Sequence, residues 1–197
     1  MIILLELRSG NMAKKSKKSD KKEKDSKQED LSEEKKENEE SSTDAEESKE
    51  ELDEEEEEKK HRLESFRKAG EIHKKVIEFI KPKVKVGTKL LDICTQVEDK
   101  IHELEGEIGF PTNISINDVA CHYTSPPEDD KEIKEGDMVK IDIGVAVDGF
   151  VADGASTVSF NDDPKVENLI TAVETAVMKG LSEIKPGVKL NKIGHVT

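Results

Sequence analysis

MVKIDIGVAVDGFVADGASTV, residues 138–158, decides the fold. Two apolar runs flank Asp148-Gly149, the residue pair best suited to a two-residue hairpin turn with φ > 0 at both positions. That turn sets Val147 against Phe150, Val145 against Ala152 and Ile143 against Gly154, all on one apolar face. The opposite face then carries Asp142, Gly144, Ala146, Val151, Asp153 and Ala155. Asp142 falls opposite Ala155, which makes Asp142 and Asp153 diagonal neighbours, roughly 7–8 Å apart at Cα. Solvated strand faces usually carry Lys, Thr, Glu or Arg, whereas here the acids are separated by Gly and Ala. Two like charges this close raise one pKa unless a cation sits between them. The pairing alone leaves two readings open, a metal site or a catalytic carboxylate pair.

Composition divides the chain in two. It has 197 residues, a net charge of -14, 40% charged residues and only 3% aromatic ones. Residues 1–60 are almost wholly Lys, Glu, Asp and Ser after a short apolar start, and are expected to be a disordered tail, helical at most at its end. Residues 61–197 have ordinary composition and suffice for one modest core. Met1 to Leu7 is apolar but too short to span a membrane and lacks a signal-peptide cleavage pattern. Met12 opens MAKKSKKSDKK and is read as the true start. The expected compartment is the cytoplasm. Cys94 and Cys121 make no disulfide framework and no zinc spacing.

Leu63, Phe66, Ala69, Ile72, Val76 and Phe79 or Ile80 recur at helical spacing, up to the stop at Lys81-Pro82. A second helix is expected from Thr88 as N-cap, with Leu91, Cys94, Val97, Ile101 and Leu104 as its stripe and Gly106 as its stop. His73 and His102 lie among charges on these helices and read as surface residues. Residues 114–117 suggest a short strand, and Pro126-Pro127 a loop. His122 sits between them in a polar connection, which favours a site role. Asp163 and Pro164 start a third amphipathic helix, running through Val166, Leu169, Ile170, Val173, Val177, Leu181 and Ile184 to a stop at Lys185-Pro186-Gly187. Ile80-Lys81-Pro82 reappears as Ile184-Lys185-Pro186, a repeat with an offset of 104 residues that suggests a duplicated unit of helix, helix, strand and hairpin. His195 falls in the would-be helix after the second copy and is not read as a ligand.

At FPTNISIN (110–117), CHYT (121–124), KIDIGVAVDGFVADGA (140–155) and Thr157-Val158, the segment from about Leu63 to Thr197 resembles type 2 methionine aminopeptidases of peptidase family M24, closest to the archaeal form. The resemblance covers the whole expected domain and none of the tail. It implies an α+β pita-bread fold, of which this chain would hold the first half and the start of the second, truncated at its C-terminus. It implies two divalent metal ions (Co, Mn, Fe or Zn), with Asp142 and Asp153 as ligands and His122 as a substrate-binding residue. The family's remaining ligands, one histidine and two glutamates, come from its second half. Phe110 and Ile114 are candidates for the methionine pocket. Cys121 departs mildly from the small residue common before the histidine, and the charged tail is unlike the archaeal form. The implied activity is removal of the initiator methionine from nascent proteins. The implied partners are the nascent N-terminus and, through the tail, the ribosome, with no membrane and no DNA. The alternative is a non-catalytic pita-bread protein that binds RNA, ribosomes or proteins. A proline-directed peptidase of the same fold is disfavoured by FPTNISIN and HYT.

Overall fold

The computed structural model describes residues 34–197, with side chains from residue 53 onward. Helix α1 spans Glu34–Ile80 and leads through a 3₁₀ turn, Lys81–Lys83, to α2 at Leu90–Glu103. Three strands follow, β1 (Glu107–Ile116), β2 (Met138–Val147) and β3 (Phe150–Ser159). Helices α3 (Pro164–Glu183) and α4 (Leu190–Val196) end the chain. Two units meet between Glu64 and Ser65.

In the first unit the charged run from residue 34 is helical, whereas the expectation for residues 1–60 was disorder up to the tail's end. Glu and Lys are good helix formers, and pairs four residues apart add to that preference. Lys59 and Glu55 form such a pair at 3.0 Å. Side chains 53–64 are all exposed, so this part of the helix rests on local terms alone. The tail's expectation for residues 1–33 and the Met12 start lie outside the described residues.

The second unit is built on an antiparallel sheet in the order β1-β2-β3. The Asp148-Gly149 turn has φ of 51° and 79°, and the hairpin adopts the expected register, with Val147 opposite Phe150 and Ile143 opposite Gly154. The odd residues of β2, Val139 to Val147, are buried with Ile114 of β1. They pack in one core with Ala69, Ile72, Val76, Ile77 and Ile80 of α1 and with Leu90, Ile93, Cys94, Val97 and Ile101 of α2. Fully burying such a side chain contributes about 1.5–3 kcal/mol. Cys94 is buried and Cys121 exposed, both as free thiols.

Four expectations need correction. Lys89, not Thr88, is the N-cap of α2; the Thr88 hydroxyl instead accepts from the Lys85 N–H and donates to the Lys83 carbonyl, bracing the preceding turn. Glu105 takes the left-handed conformation after α2, at φ 61°. Gly106 matters by closeness instead, since a Cβ there would stand 3.1 Å from Ile101 and 3.2 Å from Val145. His73 is not a surface residue but 2% exposed.

The fourth correction concerns the repeat. Gly87 and Gly187 have φ of 84° and 80°. Lys89 and Lys189 are both extended N-caps of the helix that follows. Thr88 and Val188 donate alike to the carbonyls of Lys85 and Lys185, at 3.0 and 3.1 Å. The backbone therefore repeats with an offset of 100 residues, Lys85 onto Lys185, and not 104. Conformation fixes the alignment at the glycine, where the sequence match had been anchored on the prolines. On this alignment Ala69, His73 and Ile77, which face the core, correspond to Leu169, Val173 and Val177. Those three residues of α3 are 53%, 56% and 49% exposed.

A solvated apolar stripe of this kind drives association. Leu169→Glu combined with Val173→Glu should reduce both dye binding by the 197-residue chain and its self-association in sedimentation, without lowering its melting temperature. Unchanged self-association would show that the stripe is not its cause.

Candidate metal centre

Strand β1 reaches the site through a bulge. Phe110 pairs with Gly144, but the next partners are Asn113 and Asp142, so three steps on β1 match two on β2. Pro111 sits in this irregularity, as a proline inside a sheet must. The Thr112 N–H turns out of the ladder and donates to the Glu98 carboxylate of α2 at 3.3 Å. The extra residue brings both Phe110 and Asn113 onto the face that carries Asp142. The Phe110 ring lies close against Gly144, where an added Cβ would meet it at 2.3 Å.

Phe110, Pro111, Asn113, His122, Thr124, Asp142 and Asp153 line one open cavity of about 420 Å³. Asp142 and Asp153 come from adjacent strands, with Asp153 directly opposite Gly144. Burial pushes the Asp142 pKa up, and the Asp153 carboxylate pushes it further in the same direction, against the pull of Lys140, His122 and His73. The two acids thus sense each other across a floor of small residues.

His122 arrives on the connection between β1 and β2, at φ 61°. That segment is tied on both sides. Lys140 Nζ donates to the Ala120 carbonyl, and the Ile114 N–H donates to the Tyr123 carbonyl at 2.8 Å. The Thr124 hydroxyl donates to Asn113 Oδ1 at 2.8 Å, and the Tyr123 hydroxyl to Asp129 at 2.9 Å.

Of the residues expected from the sequence, Asp142, Asp153, His122 and Phe110 meet at this cavity. Ile114 does not. It pairs with Ile141 and is fully buried in the core on the helix side of the sheet, because the bulge ends at Asn113 and alternation resumes there. Asn113 and Thr124 line the cavity without having been anticipated; Pro111 inside a strand pattern was the available signal of a bulge. His102 is exposed as expected.

Among the described residues no group of three or more His, Cys, Asp or Glu could hold a metal ion. The pair nevertheless fits part of a divalent-ion donor set. Carboxylate oxygens are the donors such ions take, and a cation between Asp142 and Asp153 would remove the repulsion that raises the Asp142 pKa.

The raised pKa, caused first by burial and then by Asp153, has a measurable sign. The folded-state pKa of Asp142 lies above its unfolded value, so the folded chain binds the proton more tightly and stability falls as pH rises through this range. Asp142→Asn should therefore raise the melting temperature of the metal-free chain at pH 7. The gain should shrink as pH drops towards the unfolded carboxylate value of about 3.9. Equal melting temperatures at pH 7 would show that burial and Asp153 together do not disfavour the ionised Asp142 carboxylate.

Residues 64–197 match Peptidase_M24, metallopeptidase family M24. The methionine aminopeptidase of Methanothermobacter thermautotrophicus is 42% identical over 135 residues, 68% of this chain and 45% of that protein. Methionine aminopeptidase 2 of Candida dubliniensis is 38% identical over 141 residues, 68% of this chain and 31% of that protein. The chain thus spans less than half the length of these relatives. Among solved structures, the methionine aminopeptidase of Thermotoga maritima superposes with a TM-score of 0.63 at 25% identity, over 68% of this chain and 56% of that one. The helices and antiparallel sheet described above are accordingly those of the pita-bread fold, and the chain belongs to metallopeptidase family M24, among its type 2-like methionine aminopeptidases.

Proposed function

We propose that this protein removes the initiator methionine from nascent polypeptides in the cytoplasm, as a metal-dependent aminopeptidase. The observation that carries the proposal is the convergence of Asp142 and Asp153 beside His122 and Phe110 in one cavity. Asp142 and Asp153 would supply two of the ligands for a pair of divalent ions, which when bound polarise the scissile carbonyl and acidify a water. The chain's own residues supply the rest of the recognition available here. The His122 imidazole N–H would donate to the substrate carbonyl, from a loop held in place on both sides. The Phe110 ring, set against Gly144, offers an apolar surface of the kind a thioether packs against. Thr124 and Asn113 fix each other beneath His122, which limits reorientation of the rim.

Two carboxylates are too few for a two-ion site, whose ions would keep mostly water around them. We therefore also propose that the 197 residues alone are inactive and depend on further ligands, in keeping with the span of the relatives. No helix among the described residues is long and apolar enough to cross a membrane. The lysine-rich start of the chain is proposed to favour contact with the ribosome, an electrostatic effect that added salt would weaken.

Three outcomes test this reading. In the full-length gene product, Asp153→Ala should abolish hydrolysis of Met-Ala-Ser together with bound metal; an active variant with intact metal content would refute the ligand role. His122→Ala should lower kcat/KM, by about 100-fold for a lost transition-state contact, while metal stoichiometry by atomic emission stays unchanged; loss of one ion per chain would instead make His122 a ligand. The 197 residues expressed alone with Mn(II) should show no turnover above the metal-only background, and cleavage at the rate of an intact aminopeptidase would contradict the incomplete site.

A further inference from the structure

On the side of the sheet away from the carboxylates, α1 places His73 in the core. Its Nε2 lies 3.0 Å from the Gly154 carbonyl oxygen, an acceptor, so this nitrogen carries the proton and donates. The Ile143 carbonyl also acts on the ring. Ile143 and Gly154 face each other across the β2–β3 ladder. Each directly follows a carboxylate, Ile143 after Asp142 and Gly154 after Asp153. One side chain thus holds the residue that follows Asp153 and lies beside the residue that follows Asp142. The fit is close, because a Cβ on Gly154 would stand 2.7 Å from His73 Cε1 and 2.9 Å from Nε2. The ring fills the space that glycine leaves.

Packing alone does not account for a histidine here. Nδ1 is buried and has no hydrogen-bond partner among the described residues. Such an unmet group costs about 1–3 kcal/mol, a cost that an aliphatic side chain in the same seam would not carry. Burial pushes the ring's pKa down, against the two carbonyls that favour its charge. A neutral ring has one N–H, and that donor is spent on Gly154.

We infer that His73 is a positioning residue for the metal centre: its Nε2–H fixes the Gly154 carbonyl, and with it the strand segment that carries Asp153, so that the two carboxylates are held at one spacing. Partners that hydrogen-bond a ligating side chain directly commonly set metal affinity by tenfold or more; His73 acts on the same ligand through the backbone of the next residue. The inference rests on the reading of Asp142 and Asp153 as metal ligands.

The test compares His73→Gln with His73→Met in the full 197-residue chain. The two side chains have the same length, and only Gln retains an N–H near the position of Nε2. Mn(II) affinity is read from the free-ion paramagnetic resonance signal, with the Asp142→Asn/Asp153→Asn double variant defining non-specific uptake by the acidic helix. His73→Met should raise the site's Kd by about tenfold, and His73→Gln should stay within about twofold of the parent. Melting curves, which a purely structural role would move for both variants, establish that each is folded. Equal affinities for the two folded variants would overturn the inference. Should His73→Met fail to fold, Gly154→Ala displaces the ring while keeping the histidine; it should weaken Mn(II) to a similar degree, and unchanged affinity there would overturn the inference too. If the double Asp variant binds Mn(II) as the parent does, the ligand reading itself fails, whatever His73 does.

Discussion

Everything at the site depends on the register of one hairpin. Side chains alternate across a strand, so a slip of one residue between β2 and β3 would move every apolar side chain to the wrong face. Val139, Ile141, Ile143, Val145 and Val147 are all buried against the helices. Exposing them would cost on the order of 10 kcal/mol at the usual value per side chain, comparable to the whole stability of a small domain. The Asp148-Gly149 turn selects the same register locally, through its two positive φ angles. The tip is also fastened to α1, where the Ser65 hydroxyl donates to Asp148 at 3.0 Å and the rings of Phe66 and Phe150 meet in a tilted contact, with centroids 5.2 Å apart. Turn, core and tip agree, and that agreement forces Asp142 and Asp153 onto the same side.

The carboxylates do not stabilise this arrangement. Burial and mutual repulsion both act against the ionised form of Asp142. The apolar face of the hairpin holds the polar face in a configuration it would not adopt for its own sake. Functional sites often store unfavourable interactions of this sort, offset by the surrounding packing. The β1 bulge extends the arrangement. By adding one residue opposite Ile143 it aims Asn113 into the cavity and sets Phe110 against Gly144, while Ile114 returns to the core.

The hairpin, its register and the shared face of Asp142 and Asp153 were legible in the sequence because they follow from a strong turn pair and strict alternation, whereas His122 was placed beside them by the family resemblance. The helix from Pro164 was legible from Asp163, whose side chain accepts the Lys165 N–H at 2.9 Å. Other features were not. Ile114 was misplaced because the resemblance pointed to the FPTNISIN segment as a whole, and the bulge at Pro111, which decides the face each of its residues takes, was not foreseen. His73 was misread because lysines surround it in sequence, although it shares a helix face with Ala69, Val76 and Ile80. The helical charged run was missed because composition reports the lack of a core but says little about local helix preference. The offset of the repeat became clear only from the matching φ of Gly87 and Gly187.

The most direct measurement is the paramagnetic broadening of backbone amide resonances in the 197-residue chain as Mn(II) is added. The first and largest broadening is expected at residues 142–144 and 153–155, accompanied by His122, and should be lost in Asp142→Asn/Asp153→Asn. Broadening confined to the glutamate-rich helix around residues 54–58, with the hairpin unaffected, would contradict the assignment of this face as a metal centre.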